Sequence, residues 1–463
     1  MFDVFGEFIH EYPGIFVLSV QVFIASVWAM QHLTGIFTIR QFTIPAVFYL
    51  TYLLMIFFPS FWVYLDRPGP FRDSFIIGVV SVLVTVPLGI FFANMVFGFS
   101  KKEVTVYFKA PVDETDDDMY TIHLILAVIA VGSAVIYFIR VPSIPLIQMI
   151  SNPGEVLALT LAREESFKLL DPRWGGEAST NMFYLFLFLR TLLFPVIILS
   201  TMGYYLYTRK RKWLVLFLPT LLVGCFYAAS SLSRAPISAI FMRVFFFLHL
   251  FNRGHVSRKT MIFFVGLMLT FPLLVTVFAY STDISVWDGL GAIGTRLTYT
   301  PALDLYYYFE IFPSNHEYLY GHTLVKPFLK LFGAEYFYIE NYVHLYISPN
   351  GIESGHANAA FISNFHADFG LFGVLMGGIF TGAFMQMLQI YLSRQRKTVL
   401  NIGVYSFIIY AIWALNFGSI TSVLFVNGVI PVLILVWMIR FSSRIVKTFS
   451  LQTRQKIYVM PLR

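Results

Sequence analysis

One cysteine stands among the 463 residues, Cys225, and it lies inside an apolar run. That excludes a disulfide framework and a cysteine-based metal site. Charge is scarce as well: Asp, Glu, Lys and Arg make up 12% of the chain, about half the share of a typical soluble domain. No Walker loop, dinucleotide fingerprint or nucleophile elbow is present, so energy from nucleotide hydrolysis is not expected to enter through this chain. The acidic start, MFDVFGEFIHEY, lacks the basic region of a cleaved signal peptide. There is no internal repeat and no low-complexity segment.

What the chain has instead is apolar sequence. Hydrophobic residues make up 58%, and apolar runs recur from end to end. A bilayer core demands about 20 such residues per helix, with every backbone polar group satisfied inside it. The expected fold is therefore an all-α integral membrane protein, a single polytopic domain over 1–463. Spans are expected near 14–37, 42–64, 74–97, 121–145, 181–207, 213–232, 236–252, 260–280, 369–392, 398–420 and 424–441. That makes about eleven, within a range of 10–12, and the seventh is short.

The net charge of +7 is no nucleic-acid signal in such a chain; its meaning depends on which loops hold the lysines and arginines. Arg40, Lys101, Lys102, Lys109, the RKRK at 209–212, Arg253, Arg258, Lys259, Arg394, Arg396, Lys397, Arg440 and the basic tail over 442–463 all fall on one side under eleven spans. That side is expected to be cytoplasmic, which places the N-terminus outside and the C-terminus inside. Two outer loops are then long, 146–180 and 281–368. In the second, PALDLYYYFEIF and HTLVKPFLKLFG read as short amphipathic helices, and EYFYIENYVHLYIS as an aromatic segment at the membrane interface. Arg190, Arg234 and Arg243 stand at depths unfavourable for charge and invite a functional reading.

Polar chemistry concentrates on the outer side. SPNGIESG (348–355) is turn sequence, which puts Glu353 and His356 on a loop. From Ala357 onward the sequence can be helical, with Asn358 and His366 on roughly one face and His366 and Asp368 at the water boundary. Gly370, Gly373, Gly377 and Gly378 permit close helix approach. A zinc site is disfavoured. His356 and His366 are ten apart, no His-Glu-x-x-His pair occurs, and nothing fixes Glu353, His344 or Asp368 as a third ligand. Arg163 and Arg173 in LAREESFKLLDPRWGG, Arg234 in SSLSRAPISAI and Arg296 all face outward. Several guanidiniums on one surface suit a phosphate or pyrophosphate, because each presents a bidentate fork. A local salt bridge is the plain alternative: Arg163 with Glu164, Glu165 or Asp171, and Arg296 with Asp304. No acid lies near Arg234 in sequence.

The order of features resembles the Wzy-type oligosaccharide repeat-unit polymerases of bacterial O-antigen and capsule assembly. These features are many spans, SSLSRAPISAI opening a hydrophobic helix, a dominant late outer loop, then HANAAFISNFHADFGLFGVLMGGIFTGAF (356–384). The most specific local likeness is Asn-Ala-Ala-Phe followed by Phe-Gly-Leu-Phe-Gly. The resemblance implies an enzyme similar to the GT-C glycosyltransferases, in the bacterial inner membrane. Its implied donor and acceptor are undecaprenyl-pyrophosphate-linked oligosaccharides, joined at the periplasmic leaflet without nucleotide sugar, cofactor or metal. A co-polymerase that regulates chain length is an implied partner, alongside membrane lipid and no nucleic acid. An inverting transfer needs one base and cations for the leaving pyrophosphate. Glu353, His356 or His366 is the expected base. Arg163, Arg173, Arg234 and Arg296 are the expected pyrophosphate ligands. Asn358 is expected to bind sugar hydroxyls, and Asp368 to orient a histidine or accept hydroxyls. Competing expectations are an O-antigen ligase or other lipid-linked glycosyltransferase, and a flippase or transporter.

Overall fold

The computed structural model describes every residue except 1, 36, 38–40, 115–118, 142, 153–154, 156–158, 160, 163–186, 281–284, 333, 350–354, 427 and 459–463. Among the described residues the chain is all-helical. In order the helices are α1 (Phe2–Glu11), α2 (Pro13–Thr34), α3 (Ile44–Asp66), α4 (Arg72–Phe97), α5 (Lys101–Lys109), α6 (Tyr120–Arg140) and α7 (Pro145–Ser151). Then come α8 (Leu189–Thr208), α9 (Arg211–Ala229), α10 (Arg234–Phe251), α11 (Arg258–Tyr280), α12 (Val286–Leu297), α13 (Tyr299–Ile311), α14 (His322–Leu331) and α15 (Ile339–Ile347). The last three are α16 (Ile362–Ser393), α17 (Val399–Trp413) and α18 (Val429–Tyr458).

Among the described residues ten helical stretches are long and apolar enough to cross a membrane, and the shorter apolar helix Ala235–Phe251 makes an eleventh candidate. Each matches one expected span, so the protein is an all-α, multi-pass membrane protein. Among the described residues three spans carry a one-turn π-helix, at Leu53–Phe57, Leu189–Leu193 and Ser422–Val426, and the first two stand directly before a Phe-Pro pair (Pro59 and Pro195). Proline removes a backbone donor and its ring clashes with the preceding turn. A widened turn absorbs both faults without breaking the helix.

The tightest seam joins α4 and α16, and it is made by missing side chains. A Cβ on Gly89 would collide with the Ile379 carbonyl and come within 2.8 Å of the Ala383 amide nitrogen. A Cβ on Gly378 would strike the Thr85 hydroxyl, and one on Gly382 the Val86 carbonyl. Small residues bring backbones together where water supplies no driving force between apolar helices.

The basic loops converge at one end of the bundle. Arg394 pairs with Glu103 at 3.0 Å and Arg396 with Asp113 at 2.8 Å. Lys397 Nζ donates to the Phe108 and Ala110 carbonyls, both at 2.9 Å. The Tyr207 hydroxyl donates to the Glu114 carbonyl at 3.1 Å. The opposite end carries the loop after α11. There the Tyr299 hydroxyl donates to Asp66 Oδ2 at 2.6 Å, which ties the end of α3 to the start of α13.

The late loop departs from expectation in two ways. First, Gly355–Ala360 is not helical. Its amides find partners elsewhere: Ala357 N donates to the Glu340 carbonyl at 2.9 Å and Asn358 N to Asp304 Oδ2 at 2.9 Å. Phe361 N likewise donates to the Leu415 carbonyl at 2.8 Å. Second, α16 begins at Ile362 and breaks at Phe369 and Gly370. Gly370 has φ 63° and ψ −150°, a region open in practice only to glycine. The chain doubles back there. Added Cβ atoms on Gly373 and Gly377 would run into the carbonyl and the ring of Phe365. Residues 362–368 thus form a short re-entrant helix beside the span that follows.

Candidate active site

The re-entrant helix changes the setting of two expected site residues. His366 and Asp368 are 4% and 0% exposed, enclosed rather than at a water boundary. The His366 ring stacks on Phe309 with centroids 3.8 Å apart, and its Nε2 lies 3.2 Å from the Phe312 carbonyl. Asp368 accepts from the Thr323 hydroxyl and, at 3.3 Å, from the Thr323 amide. It fastens the start of α14 to the break in α16, with Thr323 as its hydrogen-bond partner and His322 as a neighbouring charge. Buried contacts replace solvent because the chain reverses at Gly370 and presses 362–368 against α13.

The other expected residues fall into two groups. Glu353, Arg163 and Arg173 lie outside the described residues. Arg234 opens α10, and its side chain is likewise outside them. Arg296, His356 and Asn358 are exposed, and all three meet a cluster of groups that the sequence did not single out.

Asp304 is at the centre of that cluster. It sits half-buried on α13 and accepts the Asn358 amide. Burial pushes its carboxyl up to about 6 from an ordinary 3.8, against the opposing pull of the Asn358 amide and the Arg296 charge. One turn on, Tyr308 is fully buried and hydrogen-bonds Ser363 of the re-entrant helix. Burial, together with the charges of Glu340 and Asp304, holds its phenol well above the usual range. Glu340 on α15 pairs with Lys326 on α14 at 2.5 Å. Burial alone would raise the Glu340 carboxyl, but the Lys326 ammonium and the nearby His356 keep it below its usual range. The Lys326 ammonium lies 4.5 Å from the centroid of the Tyr338 ring. The Tyr338 hydroxyl stands 3.0 Å from His356 Nε2. His356 Nδ1 is 2.7 Å from the Gly355 carbonyl. The ring is thus held between the Tyr338 hydroxyl and the Gly355 carbonyl.

The pieces have different chemical capacities. Glu340 is neutralised in place by Lys326 and is a structural anchor. Asp304 is ionised at neutral pH yet has a proton affinity near the working pH, which is what a general base requires. His356 and Asn358 present polar groups to solvent beside it. Arg296 supplies positive charge at the same mouth.

No signal in the sequence separated Asp304 from a salt-bridge partner of Arg296, because its amide donor comes from 54 positions away. Lys326 and Glu340 are 14 apart across a helix boundary, and no local pattern marks such a pair. A test follows from their burial. Lys326→Met leaves the Glu340 charge unpaired with its side chain 24% exposed. The variant should lose about 3 kcal/mol of stability, read as a lower melting temperature of the detergent-purified protein. Lys326→Met combined with Glu340→Gln should recover most of that loss. A single variant that melts with the wild type would show that the pair is not structural.

Comparison of the chain with protein-family models, with curated proteins and with solved structures finds no match.

Proposed function

We propose that this chain polymerises lipid-pyrophosphate-linked oligosaccharide repeat units. In this reading it transfers the growing glycan to the next undecaprenyl-pyrophosphate-linked unit at the periplasmic face of the bacterial inner membrane. The observation that carries the proposal is Asp304. It is a half-buried carboxylate poised near neutral pH, at the loop-bearing end of a membrane bundle, next to exposed Asn358, His356 and Arg296.

Asp304 takes the proton of an acceptor sugar hydroxyl as that oxygen attacks the anomeric carbon of the donor. The new C–O bond forms as the bond to the lipid pyrophosphate breaks, and the pyrophosphate leaves with the electron pair. A single displacement of this kind inverts the anomeric centre. Arg296 supplies charge to the departing phosphates, with Arg163, Arg173 and Arg234 as its proposed companions. Asn358 and His356 hold sugar hydroxyls. In place of a base drawn from Glu353, His356 or His366, this reading assigns the base to Asp304. His366 is stacked out of reach behind it.

The test uses the purified full-length protein, reconstituted with a polyprenyl-pyrophosphate-linked oligosaccharide. A ladder of products spaced by one repeat unit is expected. His356→Ala should cut its rate about tenfold to a hundredfold while the protein remains folded. Transfer to a core glycolipid without a ladder would identify a ligase. Passage of the lipid across vesicles with no new glycosidic bond would identify a transporter. Either outcome ends the polymerase reading.

A further inference from the structure

At the basic end, α16, α17 and the start of α18 leave a groove of about 350 Å³. Tyr391, Asn401, Val404, Ile434, Trp437 and Arg440 line it. Tyr391, Ile434 and Trp437 are 50%, 53% and 63% exposed on the outer surface of membrane-crossing helices. The groove is therefore open sideways, toward where lipid would stand, and most of its wall is apolar. Among the described residues its lining holds one charged side chain, Arg440, and no carboxylate.

Arg440 differs from its basic neighbours. Arg394 and Arg396 are each spent on a carboxylate, and Lys397 on two carbonyls. Arg440 donates from Nη2 to Asn401 Oδ1 at 2.6 Å, a neutral partner. Asn401 is 7% exposed and fixed at both ends: its Nδ2 donates to the Arg396 carbonyl at 2.7 Å, and its amide to Thr398 Oγ1 at 3.2 Å. One arm of the guanidinium fork is thus held by a rigid amide, and the fork has four further N–H donors. Arg440 is half-buried, and holding a guanidinium beside an apolar wall without a counter-anion is costly. A fork pre-set in this way matches the planar oxygens of a phosphate.

We infer that this groove binds an anionic phospholipid, with its phosphate on the Arg440–Asn401 pair and an acyl chain along Val404, Ile434 and Trp437. An aromatic ring at the groove mouth suits the boundary between headgroup and chain. Arg444 and Lys447 follow on α18 at sequence steps of four and seven from Arg440. Basic clusters following a membrane helix in sequence favour anionic headgroups. This site is at the opposite end from Asp304 and does not depend on the polymerase reading.

The experiment is native mass spectrometry of the full-length protein released from nanodiscs holding equal parts phosphatidylglycerol and phosphatidylcholine. The wild type should retain phosphatidylglycerol in preference. Arg440→Gln should lower that retention about tenfold, the scale of one charge-assisted hydrogen bond. Arg394→Gln, at the same end but outside the groove, should leave it unchanged. Should Arg440→Gln fold poorly, Ile434→Trp fills the groove from its exposed side and should abolish retention with Arg440 intact. Undiminished phosphatidylglycerol in either variant overturns the inference. So does thermal stabilisation by inorganic phosphate equal to that by phosphatidylglycerol, which would make the ligand a soluble anion.

Discussion

Asp304→Asn should stop glycan extension, with a rate loss of about a hundredfold to ten-thousandfold, the usual contribution of a positioned base. The substitution is nearly isosteric. It keeps an oxygen to accept the Asn358 amide and removes only the ability to take a proton. Acidity should have the same effect on the wild type. Extension should fall about tenfold per pH unit below the Asp304 midpoint of about 6, and the residual rate of the variant should lose that dependence.

Stability should move the other way. A carboxyl raised on folding binds its proton more tightly when folded, so its contribution is fully present below pH about 4 and is lost as pH climbs through about 6. At pH 7 the wild type therefore bears the cost of a half-buried charge. Asparagine mimics the protonated form and should gain about 1 kcal/mol, taking partial solvent screening into account. Repeat-unit ladders from reconstituted protein and melting curves of the same preparations measure both effects. A variant that is inactive because it is unstable would assign Asp304 a structural role. A stable variant that extends at the wild-type rate would remove it from the mechanism.

The second large effect concerns the seam. Gly89→Val should prevent a properly folded protein from accumulating. The atoms its side chain would meet are the Ile379 carbonyl and the Ala383 amide nitrogen. These are backbone atoms in the middle of α16, and they cannot swing aside as a flexible side chain can. The helices must separate, at a cost above about 3 kcal/mol, the upper range for overpacking. Gly132→Val is the control: Gly132 lies within α6 with nothing within 4 Å of an added Cβ. It should cost no more than the roughly 1 kcal/mol range of helix propensity. Yield and melting temperature after size-exclusion chromatography separate the two. Equal behaviour of both variants would mean that α4 and α16 do not pack through Gly89. The seam also serves the site, because α16 carries the break at Gly370 that presses 362–368 against α13.

Much of this architecture was legible in the chain itself. The eleven apolar stretches were found because a bilayer imposes a length and a composition on every span. The clustering of the basic loops at one end followed from counting spans between them. The helices at 299–311 and 322–331 were visible as PALDLYYYFEIF and HTLVKPFLKLFG, whereas EYFYIENYVHLYIS, read as an aromatic interfacial segment, holds a further helix at 339–347. The glycines of α16 announced close packing before any partner was known. Other features were misread for a definite reason. ANAAF looked helical, yet its amides are taken by Glu340 and Asp304, which no local rule could supply. His366 and Asp368 looked wet because span nine was expected to begin after them. A single glycine in a left-handed conformation turns the chain and buries both.

By itself, then, the sequence determined the class of protein and the apolar stretches that form its long helices. Those properties are sums over runs of residues, and a bilayer reads them locally. Only the tertiary structure decided that Asp304 is half-buried against the Asn358 amide with its proton affinity raised toward neutrality, that Lys326 neutralises Glu340, and that Arg440 faces a groove with no acid among the described residues. Each of these depends on which distant backbone or side chain arrives beside an ionisable group. Burial and neighbouring charge set a proton affinity, and both come into being only when the helices meet.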